Sequence, residues 1–201
     1  MQSFQSYNDY LFTALGTVSP DAVQTVTDAL FAAYERGSMV FVIGNGGSAA
    51  NASHFAQDLA KGTLDHPEQR KRLRALSLTD NLPYISALGN DEGYDTVFVQ
   101  QLRTFGSEGD LLLAITGSGN SPNIVRALEY ANESGITTIA VTGFDGGRAL
   151  AMADISLHVP LHDMCSAESI HSILFHYIIL ALKERIANGE KVSLSNDGSG
   201  D

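Results

Sequence analysis

The chain has 201 residues, 44% of them apolar, and a formal net charge of −11, which fits one domain of ordinary size with a real core. The acidic balance argues against a general nucleic-acid binder, which would be basic, and no run reaches the roughly 18 consecutive apolar residues of a membrane helix. Cys165 is the single cysteine, so no internal disulfide forms; with a start that lacks a basic, then apolar leader, this points to a reducing cytoplasm.

The first 37 residues read as two helices. Tyr7, Leu11 and Leu15 recur at helical spacing, and Ser19-Pro20-Asp21 then looks like an N-cap with proline in the first turn. Val23, Val26, Leu30, Phe31 and Tyr34 continue the period until Gly37 ends it. The apolar faces of this pair need a partner, either the domain or a second subunit. From residue 39 the pattern changes. Short apolar runs at Met39–Ile43, Leu73–Leu78, Asp110–Ile115, Thr137–Val141 and Ile155–Val159 read as strands buried on both faces. Helical stretches lie between them: Ser48–Lys61, Leu82–Leu88 with Asp95–Phe105, Ser121–Ser134, and a short piece near Arg148–Met152. A last helix is expected from Met164 to Ile186. This alternation means an α/β fold, a doubly wound five-stranded parallel sheet flanked by helices. Residues 1–37 are expected to serve oligomerisation, 38–187 to form the domain, and 188–201 to be a frayed, flexible tail.

Two loops stand out. Gly44-Asn45-Gly46-Gly47-Ser48 follows the first strand. Its glycines let the backbone approach a ligand closely, and Ser48 is expected to cap a helix whose N–H groups favour an anion. It is neither a Walker pattern nor a dinucleotide fingerprint. Thr116-Gly117-Ser118-Gly119-Asn120-Ser121 follows the third strand, also at a helix start, and offers three hydroxyls. Together the loops suit a small phosphorylated ligand. Backbone N–H groups can hold phosphate with few cations, so the acidic charge is no obstacle. Lys61, Arg70, Lys71, Arg72 and Arg74 cluster in sequence. They read as a solvated loop and strand start, or alternatively as a cationic rim that attracts an anion.

His54 and Asp58, four residues apart, share one helix face. The last helix carries Glu168, His171 and His176 among apolar residues, where buried polar groups need partners. A surface ion pair and satisfied core histidines are the plain alternatives to a functional cluster.

The segments IGNGGSAANASHFAQDL, ALGNDEGYDTVFVQQL, GDLLLAITGSGNSPNIVRAL and TGFDGGRALAMADISLHVP resemble the phosphoheptose isomerases and their SIS-domain relatives over about residues 30–187. The resemblance implies a homotetramer with sites at subunit interfaces. It implies substrate contacts from Asn45, Gly46, Gly47, Asn90, Asp91, Ser118 and Ser121, beside Ser48, Thr116 and Gly117 in the same motifs and Glu168 on the last helix. It also implies zinc held by positions 54, 58, 168 and 176, with acid–base work at 58 and 176. Two of those four depart from the family pattern: Asp58 stands where glutamate is expected and Glu168 where glutamine is. Thr116 and Gly117 depart from the family's Ser-Thr, with the loss of one hydroxyl. Positions 168 and 176 are about 12 Å apart on a straight helix, so both reach one metal only if the helix bends or the side chains lean together.

The expected activity is isomerisation of a sugar phosphate, sedoheptulose 7-phosphate foremost, with Asp58 and His176 moving protons through an enediol. The alternative is a non-catalytic SIS protein that binds a partner, as one relative binds the bacterial replication initiator. A sugar-phosphate-sensing regulatory domain ranks last, since no DNA-binding segment accompanies it.

Overall fold

The computed structural model describes residues 3–197, with side chains to residue 189. The elements follow the expected alternation: α1 (Phe4–Leu15), α2 (Pro20–Arg36), β1 (Met39–Gly44), α3 (Gly47–Gln57), β2 (Arg74–Ser77), α4 (Leu82–Asp91), α5 (Val99–Phe105), β3 (Leu111–Thr116), α6 (Pro122–Glu133), β4 (Thr137–Thr142), α7 (Gly147–Met152), β5 (Ile155–His158) and α8 (Met164–Asp197). The five strands are all parallel and ordered β2-β1-β3-β4-β5.

Side chains alternate across the sheet, and each face builds its own core. Val40, Val42, Leu111, Leu113, Ile115, Ile139 and Val141 meet α2, α3 and α8 on one face. Phe41, Ile43, Leu112, Ala114 and Ala140 meet α4, α5, α6 and α7 on the other. This two-sided burial is why the strands read as continuous apolar runs.

Of the two partners open to the N-terminal pair, the domain itself takes the apolar face of α2: Val23, Val26, Leu30 and Ala33 join the sheet's core. Two expectations need correction. The helix expected over Ser48–Lys61 is two pieces, because α3 ends at Gln57 and a π turn follows over Asp58–Gly62. The last helix continues past Ile186, so the expected tail is helical backbone as far as Asp197; residues 198–201 lie outside the described residues.

The cations of 70–74 sit at the amino ends of the strands, away from the two glycine-rich loops, and Arg70 and Lys71 line a separate cavity of about 500 Å³ there. Lys71 Nζ donates to the Glu35 carbonyl at 3.2 Å, and Arg74 donates to the Gly37 carbonyl at 3.0 Å. Both bond carbonyls at the C-terminal end of α2, where the helix dipole favours positive charge.

Candidate functional site

The strand order reverses between β1 and β3. One chain segment leaves the sheet toward β2 and the other toward β4, which opens a crevice at the carboxyl ends. Both singled-out loops lie there. Asn45, Gly46, Gly47 and Ser48 from the first, and Thr116, Gly117, Ser118 and Ser121 from the second, line a cavity of about 290 Å³. Met164 and Glu168 of α8 complete the wall.

Neither helix that starts here is closed by a side-chain cap. α3 begins after Gly46 and α6 after Ser121, with no side-chain cap bond at either. Ser48 is therefore not the cap expected of it; it is buried in the first turn of α3. Thr116 is also turned inward: its Oγ1 accepts the Gly119 N–H at 3.1 Å and shapes the second loop. The departure at Gly117 has a structural counterpart, since a Cβ there would meet the Met164 sulfur at 2.5 Å. Met164 occupies the space that a larger residue would fill, so this wall of the cleft is a thioether rather than a hydroxyl. Gly47 answers to the same logic. A Cβ at Gly47 would collide with the Glu168 carboxylate, which lies against the loop backbone.

A second cluster lies farther along α3. His54 Nε2 stands 3.3 Å from Asp58 Oδ2, and His176 Nε2 of α8 stands 3.9 Å from the same oxygen. The two rings meet edge to face with centroids 5.2 Å apart. One donor atom from each of the three residues lies within 4.8 Å of the others, a group that could hold a metal ion. Imidazole nitrogens and a carboxylate oxygen suit a borderline-soft ion such as zinc. The π turn begins at Asp58 itself, and such widened turns often mark functional sites.

Packing explains why residues so distant in sequence converge. Phe55 stacks on Phe175 with centroids 4.3 Å apart, which pins α3 to α8 one residue away from His54 and His176. Asn51 adds polar stitches: its Nδ2 donates to the Glu168 carbonyl at 3.2 Å, and its Oδ1 accepts from Ser172 at 2.8 Å. Asn51 and Ser172 border the His54–Asp58–His176 depression, so they link that cluster to the cleft.

The structure thus unites three of the four expected metal ligands and separates the fourth. Glu168 lines the cleft between the two loops and does not belong to the His54–Asp58–His176 group. Eight residues of α8 place the two side chains about 12 Å apart along the axis. Asn90 and Asp91 are exposed, bond each other at 2.7 Å and lie outside the cleft lining. His171 is a core residue with no exposed surface; its Nε2 donates to the Thr142 carbonyl at 3.2 Å. Burial pushes its pKa down to about 4. His158, hydrogen-bonded to Thr142 Oγ1, is lowered chiefly by burial as well. Sequence reasoning passed over Asn51, Asn123, Tyr94, Met164 and Ser172. The available signal was a polar residue on an otherwise buried helix face at Asn51 and Ser172, and an asparagine two residues beyond the second loop at Asn123.

A family model described as the SIS domain matches residues 4–143 of this doubly wound chain. The chain belongs to that family. Its curated relatives include the phosphoheptose isomerase of Clostridium acetobutylicum, 39% identical over 173 residues that make up 86% of each chain. That of Mycobacterium tuberculosis is 40% identical over 159 residues, 79% of each. Among solved structures, the phosphoheptose isomerase of Neisseria gonorrhoeae superposes with a TM-score of 0.82 at 30% identity, over 90% of this chain and 96% of that one. The Francisella tularensis enzyme gives 0.80 at 32%, over 92% and 100%.

Proposed function

We propose that the chain is an aldose–ketose isomerase that converts sedoheptulose 7-phosphate to D-glycero-D-manno-heptose 7-phosphate. The observation that carries this reading is the pairing of an anion cleft with an acid–base cluster two turns along the same helix. The phosphate is held at the starts of α3 and α6, where backbone N–H groups and the Ser118 and Ser121 hydroxyls point to an anion. His54 lies six residues beyond Ser48, about 9 Å along the axis, so the reacting carbons sit several bonds from the phosphate. A long-chain sugar phosphate suits that separation.

Asp58 takes the proton from the carbon beside the carbonyl and returns it to the neighbouring carbon. His176 moves the second proton between the two oxygens, so the enediol forms and collapses with no net change in redox state. Zinc held by His54, Asp58 and His176 would supply Lewis-acid polarisation of the carbonyl. Glu168 is left to the sugar: a carboxylate in the cleft wall accepts hydrogen bonds from its hydroxyls.

We further place this site in a homotetramer. His54 and His176 side chains are 54% and 58% exposed in the single chain, although isomerisation benefits from excluding water. On the same helix Ile173, Tyr177 and Leu180 form an exposed apolar stripe, and Phe4 and Phe12 of α1 are also exposed. Met164–Gly189 is apolar and long enough to cross a membrane by length and composition, yet half of it is buried against the domain. A neighbouring subunit over the exposed half accounts for the remainder.

The test is incubation of purified protein with sedoheptulose 7-phosphate, after chelation and again after zinc is restored, while aldose formation is followed. Turnover supports the reading. No turnover with this or related sugar phosphates in either state removes it. Asp58→Ala separates enzyme from scaffold: an enzyme loses turnover, whereas a partner-binding protein keeps its affinity.

A further inference from the structure

Asn45 sits in the loop after β1, and Asn123 lies just past the loop after β3. Their amides form a closed pair. Asn45 Nδ2 donates to Asn123 Oδ1 at 2.9 Å, and Asn123 Nδ2 donates back to Asn45 Oδ1 at 2.9 Å. Asn123 is only 2% exposed, and its Oδ1 also accepts the Ile124 N–H at 3.0 Å. A third group joins from outside both loops: the Tyr94 phenol donates to Asn45 Oδ1 at 3.0 Å. Tyr94 opens a 3₁₀ turn over Tyr94–Thr96, and the neighbouring Asp95 pairs with Arg126 of α6 at 2.8 Å.

An amide has two acceptor sites and two donors. Asn123 and Tyr94 fill both acceptor sites of Asn45 and one of its donors. Turning the Asn45 amide over would set oxygen against oxygen and N–H against N–H, so the network decides its orientation. One N–H remains, on a residue that lines the cleft. We propose that Asn123 and Tyr94 are positioning residues: they clamp Asn45, hold the two anion loops at a fixed spacing, and present its last N–H to an oxygen of the bound sugar phosphate. This rests on the reading of the cleft as a sugar-phosphate site, and it assigns the clamp to binding rather than to proton transfer.

The test compares Asn123→Asp, Asn45→Ala, Asn123→Ala, the Asn45→Ala/Asn123→Ala pair and Tyr94→Phe. For each, KM and kcat with the sugar phosphate, the Kd for inorganic phosphate by calorimetry, and Tm are measured. A buried hydrogen bond of ordinary strength is worth about 2- to 10-fold in binding. Asn123→Asp should raise KM by about that upper figure, with kcat little changed. The double substitution should weaken phosphate binding no more than the worse single one, because either breaks the same pair. Tyr94→Phe should raise KM by about threefold at unchanged Tm, since its ring is exposed. Unchanged KM and phosphate Kd in Tyr94→Phe and Asn123→Asp, or strictly additive losses in the double variant, would overturn the clamp. If the Asn123 variants do not fold, Tyr94→Phe decides. If the unsubstituted protein binds phosphate but turns over no sugar phosphate, the isomerase reading falls while the phosphate Kd series still judges the clamp.

Discussion

At the amino ends of the strands, carbonyls at the close of α2 are occupied by Lys71 and Arg74. At the carboxyl ends, helix starts divide into two kinds. α4 is capped by Asn81, whose side chain accepts the Tyr84 N–H at 3.2 Å. α8 is capped by Asp163, whose side chain accepts the Ser166 N–H at 2.8 Å. α3 and α6, which flank the cleft, have no side-chain cap bond. Where stability is the only demand, a side chain completes the helix terminus. At the two starts where a phosphate is proposed to bind, no N-cap side chain does so.

The sharpest way to break this contrast is through the cluster beyond the uncapped α3. Asp58→Asn keeps the shape and removes the proposed base; turnover should fall about 10³-fold while the thermal midpoint stays put. Next in size is Phe55→Ala, which removes a ring stacked on Phe175 in the core. It should cost about 3–5 kcal/mol in denaturant unfolding and, by loosening α3 from α8, lower turnover too.

His171 supplies a third test, on the core side of the comparison. Its folded pKa of about 4 lies below the ordinary histidine value of 6.5, so the unfolded chain binds the extra proton first. The stability due to its neutral form is complete above about pH 6.5 and is lost as pH falls toward 4, up to about 3 kcal/mol. Unfolding free energies measured from pH 7 to 4.5 should decline in the parent and decline less steeply in His171→Leu. Equal slopes would assign the acid sensitivity elsewhere.

The smallest effects sharpen the contrast most directly. Ser19 caps α2 by accepting the Ala22 N–H at 3.2 Å, so Ser19→Ala should cost about 1 kcal/mol of stability and leave KM alone. Ser121→Ala at the start of α6 should do the reverse: little loss of stability and a several-fold rise in KM. Ser118→Ala should likewise raise KM. A stability loss at Ser121 matching that at Ser19 would mean that its hydroxyl is structural.

How much of this was legible in the sequence follows from the range of each interaction. The apolar runs declared the strands because a strand covered on both faces has no polar position to show. The two glycine- and serine-rich turns were legible because a close backbone approach leaves a local mark. His54 and Asp58 were legible as a pair because four residues of helix make them neighbours. The loop connections through Asn45, Asn123 and Tyr94 were not, because nothing local records which amide meets which across separate strands.

From composition, period and turn chemistry alone the chain determined a parallel α/β sheet, a pair of glycine- and serine-rich turns that meet in one cleft at the strand ends, and the short-range His54–Asp58 pair. Tertiary structure alone decided that His176 joins that pair and Glu168 does not. Both sit on one helix, and their separate destinations depend on how α8 lies across α3, fixed by Phe55 against Phe175 and by Asn51 between Glu168 and Ser172. Contacts between residues more than a hundred positions apart answer to the shape of two packed surfaces, which no spacing within either helix encodes.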